Sequence, residues 1–240
     1  MRSKSGDSTP EAVADAPTLR GIRVIIAGPL HEAPPMRTFA NARYTVSATG
    51  MTNLPTADRP EVAFAGRSNA GKSSALNVLT ARKGLARVSK TPGRTQLLNF
   101  FECDGVRLVD LPGYGFAKVP PKMRQAWGRM IGDFMRYRET LVGVVVVMDV
   151  RHPLTPFDEQ MLGWSVEHGK PVLALLTKAD KLSFGRAKAQ RLAVEQALRD
   201  APGISVRLMS ATKRTGVDEA RAVIEGWLPT LPAVPADDAQ

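Results

Sequence analysis

The sequence predicts an α/β fold: an open, mostly parallel sheet with one antiparallel edge strand and helices on both faces. Three observations lead there. From Glu61 onward, short apolar runs alternate with helix-length segments, the pattern of strands joined by helical crossovers. A glycine-rich loop, Gly66-Arg67-Ser68-Asn69-Ala70-Gly71-Lys72-Ser73, stands between the first such run and the first helical segment. Asp104-Gly105 separates two apolar runs, a strong type I′ hairpin signal that inserts the antiparallel pair.

Residues 61–65, EVAFA, are mostly apolar and read as a buried strand, and residues 74–79, SALNVL, as the first turns of a helix. The loop between them fits G-x-x-x-x-G-K-[ST]. Its backbone N–H groups would wrap α- and β-phosphates at a helix N-terminus, Lys72 would reach the β/γ oxygens, and the Ser73 hydroxyl would ligate Mg²⁺. With average residue usage the bare pattern arises by chance in roughly one chain of this size in a hundred. The strand–loop–helix context makes a mere glycine-rich turn a poor alternative. The loop residues and the following Ser74 are therefore assigned to nucleotide binding.

Residues 84–94 are rich in Gly, Lys, Arg and Ser and end at Thr95, just before a strand expected over residues 96–102. That composition suits a loop that orders around a metal and a γ-phosphate. Gly93, Arg94 and Thr95 are the candidate contacts, with Thr91 a competitor for the switch threonine and an ordinary strand-initiating role the plain alternative for Thr95. Residues 106–109 form the next strand, closed by Asp110-Leu111-Pro112-Gly113. A carboxylate there can hold the Mg²⁺ shell, and the Gly113 N–H can sense a γ-phosphate. The D-x-x-G spelling is common in turns, so its weight comes from its position.

Residues 141–148 and 172–176 are further strands, the second ending in Thr177-Lys178-Ala179-Asp180. Alone, this motif also fits a helix cap. With Ser210-Ala211-Thr212 after a strand at residues 204–209, it reads as guanine selection. The Asp180 carboxylate would accept from guanine N1–H and the N2 amine, Lys178 would lie along the base, and a backbone N–H of Ser210-Ala211 would meet O6. A site built on such bonds rejects the wrong base by about 10⁴-fold or more, because its acceptor would be left unpaired. Helices are expected at residues 122–137, 157–167, 187–198 and 217–227.

Composition narrows the class. The 240 residues are 43% hydrophobic and 23% charged, with a single cysteine, which fits a core-forming cytoplasmic protein without an internal disulfide. No apolar run reaches membrane-span length, and the three histidines lack metal-ligand spacing. The net charge of +10 favours a partner with a phosphate backbone, although a solvated basic surface explains charge alone. Aromatics are only 6%, and no stacking array for single-stranded bases is evident. Residues 1–35 are expected to be disordered or a non-native extension, with residues 22–26 an isolated apolar run. Residues 36–230 form the nucleotide-binding domain and residues 231–240 a fraying tail.

From about Met36 to about Trp227 the chain resembles the EngB (YihA/YsxC) family of ribosome-biogenesis GTPases, in the Era/TrmE-like branch of the TRAFAC class. The stretches that carry the likeness are residues 60–74, residues 89–96 (SKTPGRTQ), residues 110–115 (DLPGYG) and residues 149–154 (DVRHPL). The resemblance implies a P-loop GTPase fold, a GTP/GDP switch with Mg²⁺ on Ser73 and Thr95, and Thr95 rather than Thr91 as the switch threonine. It also implies a monomer acting in assembly of the large ribosomal subunit on rRNA and ribosomal proteins, with a link to cell division and septation. Rivals from other classes are a GTP-dependent module that binds a cell-division protein without RNA, and a GTPase component of an RNA-modifying complex.

Two details concern catalysis, for which Lys72, Thr95, Gly113 and Asn69 are the candidates. Tyr114 stands where Ras has its water-orienting glutamine, so slow intrinsic hydrolysis is expected. Asn69 matches the asparagine that in related K⁺-activated GTPases helps hold potassium. Its competing role is to shape the loop through tolerance of the left-handed conformation.

Overall fold

The computed structural model describes residues 39–86, 97–114 and 121–229, with no side-chain description for residues 121–124. The elements run β1 (Arg43–Ala48), β2 (Glu61–Gly66), α1 (Lys72–Leu79), β3 (Leu98–Cys103), β4 (Val106–Asp110), α2 (Pro121–Tyr137), β5 (Leu141–Asp149), α3 (Pro156–Glu167), β6 (Val172–Thr177), α4 (Phe184–Ala197), β7 (Ile204–Leu208) and α5 (Val217–Glu225). Among the described residues the strands make one seven-stranded sheet in the order β1-β3-β4-β2-β5-β6-β7.

Strands β4, β2, β5, β6 and β7 are parallel, and β2, β4 and β6 are buried along their whole length. Such strands read as near-continuous apolar runs because helices cover both of their faces. The antiparallel strand expected from Asp104-Gly105 is β3, which pairs with β4 through a tight hairpin. Both turn residues have positive φ, 46° at Asp104 and 73° at Gly105, as a type I′ turn demands. Beyond the sequence reading lies β1, which pairs antiparallel with β3 and forms the outer edge.

Two cores flank the sheet. Trp127, Ile131 and Phe134 of α2, Met161 of α3 and Val194 of α4 fill one side. Leu76 and Leu79 of α1 with Ala220 and Ile224 of α5 fill the other. Helix α3 opens with a capping box in which Thr155 and Asp158 bond reciprocally, leaving Asp158 1% exposed. The carboxyl ends of the parallel strands therefore converge along one rim of the sheet, where ligands of open α/β sheets bind. Among the described residues, no helix is long and apolar enough to cross a membrane.

At the opposite rim, Glu61 begins β2 fully buried. Its Oε1 accepts from Arg107 at 2.9 Å and from the Arg138 Nη2 at 2.6 Å, and its Oε2 accepts from the Arg138 Nε at 2.7 Å. The two guanidinium groups also donate to the carbonyls of Thr56 and Pro55. This cluster ties the starts of β2 and β4 to the end of α2.

Candidate functional site

The phosphate loop leaves β2 at Gly66 and enters α1 at Lys72. Asn69 has φ 64° and Gly71 φ 103°, so the chain turns twice through left-handed space. Only glycine takes the second value without strain, since a Cβ there would also stand 3.2 Å from the Thr177 Oγ1. Gly71 is the N-cap of α1, and the helix's first N–H groups and dipole face the loop. Asn69 thus has the loop-shaping conformation that was its simpler reading. Ser73 and Ser74 lie in the first turn of α1.

Lys72 and Asp110 form an ion pair in which both side chains are nearly buried, joining the phosphate loop to the end of β4. Beyond Asp110, the Leu111 N–H donates to the Phe64 carbonyl at 3.0 Å, continuing the β4–β2 ladder past the strand end. Pro112 and Gly113 follow. The next residue returns to the phosphate loop: Tyr114 bridges Arg67, and its carbonyl accepts from the Ser68 N–H at 2.8 Å. The hydroxyl of Tyr114 donates to the Asp158 Oδ1 at 2.8 Å. The ring is 3% exposed, which raises its pKa by burial and secondly by the Asp158 charge. A phenol committed in this way is not placed to orient water.

The guanine motif is tied to the phosphate loop from the other side. The Thr177 hydroxyl donates to the Ala70 carbonyl and, at 3.0 Å, to that of Met148. Lys178, itself left-handed at φ 57°, donates from Nζ to the Asn69 carbonyl at 2.5 Å and to Asp149 at 2.9 Å. The Arg151 side chain first, and then Lys178, hold the Asp149 carboxyl well below the usual carboxylate range, against the opposing effect of burial. Asp180 accepts from the Ser210 hydroxyl at 2.5 Å, and this bond lowers the Asp180 pKa. The carboxylate stays ionised and acceptor-only. The Ala179 N–H donates to the Met209 carbonyl at 3.1 Å, which closes the turn onto the end of β7.

The structure thus brings residues 66–74, 110–113, 177–180 and 210–212 to one rim. Ser210 has two tasks beyond the sequence reading: it supports Asp180, and its N–H donates to the Thr215 carbonyl at 3.0 Å. Of the two N–H groups expected to meet guanine O6, that of Ser210 is thus engaged within the chain, and Ala211 and Thr212 lie in the following turn. Gly93, Arg94, Thr95 and the competing Thr91 lie outside the described residues, as do residues 1–35 and 231–240. Sequence reasoning gave no role to Asp149 or Asp158. The signal for Asp158 was present, since Thr155-x-x-Asp158 spells a capping box before an apolar run. Asp149 is legible only as an acid ending a long apolar strand.

Known proteins resemble this chain in sequence and in fold. A family model described as a 50S ribosome-binding GTPase, MMR_HSR1, matches residues 61–178. A probable GTP-binding protein EngB of Yersinia pestis bv. Antiqua (strain Angola) is 54% identical over 191 residues, covering 79% of this chain and 88% of that one. The corresponding protein of Yersinia pseudotuberculosis serotype I (strain IP32953) gives the same identity and coverage. Among solved structures, a probable GTP-binding protein engB superposes with a TM-score of 0.56 at 21% identity, covering 68% of this chain and 96% of that one. A bacterial selenocysteine-specific elongation factor, EF-Sec, follows at 0.52 and 19%, covering 71% of this chain and 28% of that one. At those identities the structural likeness speaks for the fold alone.

Proposed function

The chain belongs to the EngB family of GTP-binding proteins and is a GTPase, and we propose that it works as a GTP-driven switch in assembly of the large ribosomal subunit. The observation that carries the reading is the joining of phosphate loop and guanine motif by Lys178 and Thr177. One rigid rim can then hold base and phosphates of a single nucleotide. In this reading Asp180 pairs with guanine N1–H and N2, the Ala211 N–H meets O6, and Lys72 with the loop amides of residues 66–73 binds the phosphates. Ser73 and Thr95 would ligate Mg²⁺, with Asp110 holding its shell, and the bound ion would supply positive charge beside the γ-phosphate. Water attacks without a side-chain nucleophile.

Tyr114 is removed from water positioning by its bond to Asp158, which supports slow intrinsic hydrolysis. Asn69 would help hold a potassium ion, which would supply charge where an arginine finger otherwise would. The net charge of +10 and the family description as ribosome-binding support rRNA or ribosomal protein as partner, in the cytoplasm. A division or septation defect then follows from impaired ribosome supply.

Co-sedimentation with large-subunit particles tests the reading. Retention is expected with a non-hydrolysable GTP analogue and loss with GDP. Absence of binding in both states, with nucleotide loading verified, would sink it. Hydrolysis on the particle should rise on replacing Na⁺ with K⁺, and an unchanged rate removes the potassium role.

A further inference from the structure

Tyr114 is held at three points. Its N–H donates to the Gly66 carbonyl at 3.4 Å, its carbonyl accepts from the Ser68 N–H at 2.8 Å, and its hydroxyl donates to the Asp158 Oδ1 at 2.8 Å. The two backbone bonds grip the phosphate loop. The side-chain bond adds a third anchor that is itself fixed: the Asp158 Oδ2 accepts from the Thr155 N–H at 2.9 Å and from the Thr155 hydroxyl at 2.7 Å. The ring lies between Trp127 of α2 and Phe157 of α3, with centroids 5.8 Å and 6.0 Å away. Both partners are nearly inaccessible, at 3% for Tyr114 and 1% for Asp158. A buried carboxylate oxygen without its donor carries the full desolvation penalty, so the pair resists separation.

Gly113 immediately precedes this anchor, and a Cβ built on it would stand 3.6 Å from the Ser68 nitrogen. Its Cα therefore lies against the phosphate loop, one residue before the tyrosine that Asp158 holds. We propose that Tyr114 and Asp158 form a positioning pair, built into the fold, that holds Gly113 against the phosphate loop and so sets the ratio of GTP to GDP affinity. The inference rests on the reading above that the Gly113 N–H meets the γ-phosphate. Neither side chain touches nucleotide; both act through Gly113. Asp158 transmits the restraint to the start of α3, which makes that helix end part of the γ-phosphate sensor.

The experiment compares affinities for a non-hydrolysable GTP analogue and for GDP in the full chain. Tyr114→Phe keeps the ring in place and deletes only the hydroxyl. It should weaken analogue binding about tenfold, within the range of a coupling between a remote restraint and a ligand, while GDP affinity stays within about twofold. Asp158→Ala should give the same selective loss, and the double variant no more than either single one. Asp158→Asn should keep the wild-type ratio, because its amide oxygen still accepts from Thr155 and its NH₂ can donate to the phenol oxygen. Equal weakening of both nucleotides, or losses that multiply in the double variant, would overturn the pair's role and leave it a packing contact. Lys72→Ala separates the two levels of argument. If it leaves both affinities unchanged, the site reading fails and the inference with it; if it cripples binding while Tyr114→Phe keeps the wild-type ratio, the inference alone fails.

Discussion

The two rims of the sheet are built from the same ingredients, buried carboxylates paired with basic side chains, yet they differ in how the carboxylates are partnered. At the rim where β2 begins, Glu61 is gripped by two arginines through three hydrogen bonds, and both guanidinium groups reach nearby carbonyls as well. At the opposite rim a lysine takes part in each pair, Lys72 on Asp110 and Lys178 on Asp149, although Arg151 also forks onto Asp149. A guanidinium is planar and locks into a fork, whereas an ammonium is a point charge on a flexible stem that exchanges partners at little cost. The first arrangement is closed and fastens the fold. The second leaves donors and acceptors able to turn toward phosphate, metal and base.

Breaking the closed rim should have the largest effect. Glu61→Ala leaves two buried arginines without their shared partner and is expected to cost about 3–5 kcal/mol of folding stability, read from urea denaturation. The folded fraction should still bind GTP, and a loss of GTP affinity in that fraction would show that the two rims are coupled. At the open rim, Lys72→Ala should lower affinity for GTP and GDP by about ten- to a hundredfold, the range of a charge-assisted hydrogen bond, measured by titration calorimetry.

Asp180→Asn sharpens the contrast within the open rim. It should weaken GTP binding by about a hundredfold or more while admitting xanthosine triphosphate, whose C2 carbonyl accepts from the new amide where guanine presents a donor. Unchanged selectivity between the two bases would place base recognition elsewhere.

The smallest effect is one of pH. Asp149 has a depressed folded pKa, chiefly through Arg151 and then Lys178. Its contribution to stability is present above the unfolded value of about 3.9 and is lost as pH falls from there through the folded value. The stability gap between the wild type and Asp149→Asn should therefore be constant near neutrality and narrow below about pH 4, followed by denaturation across pH.

The open rim was legible in the sequence largely because its parts are local. Gly66 to Ser73 needs particular φ values and a lysine at a fixed offset, and Asp110, Asp180 and Ser210 each end an apolar run, so position along the chain already places them at strand ends. The closed rim was not legible. Glu61 heads an apolar run with no basic residue next to it in the sequence, and its partner Arg138 lies 77 residues away. Edge strand β1 was missed although residues 43–48, RYTVSA, alternate polar and apolar side chains; on its apolar face Tyr44 and Val46 are exposed and Ala48 is buried.

What the sequence by itself determined is the chemistry of each segment: a phosphate-binding turn, an acid after a buried strand, a guanine-type motif and an α/β alternation of elements. These follow from backbone conformation and hydrophobic period, which depend on near neighbours. Only the tertiary structure decided which of those segments touch. It ran Lys178 to a carbonyl 109 residues back in the chain, turned Tyr114 away from water toward Asp158, and closed Glu61 between two arginines. Such contacts depend on the order in which strands enter the sheet, and that order is set by the burial of the whole chain rather than by any one stretch of it.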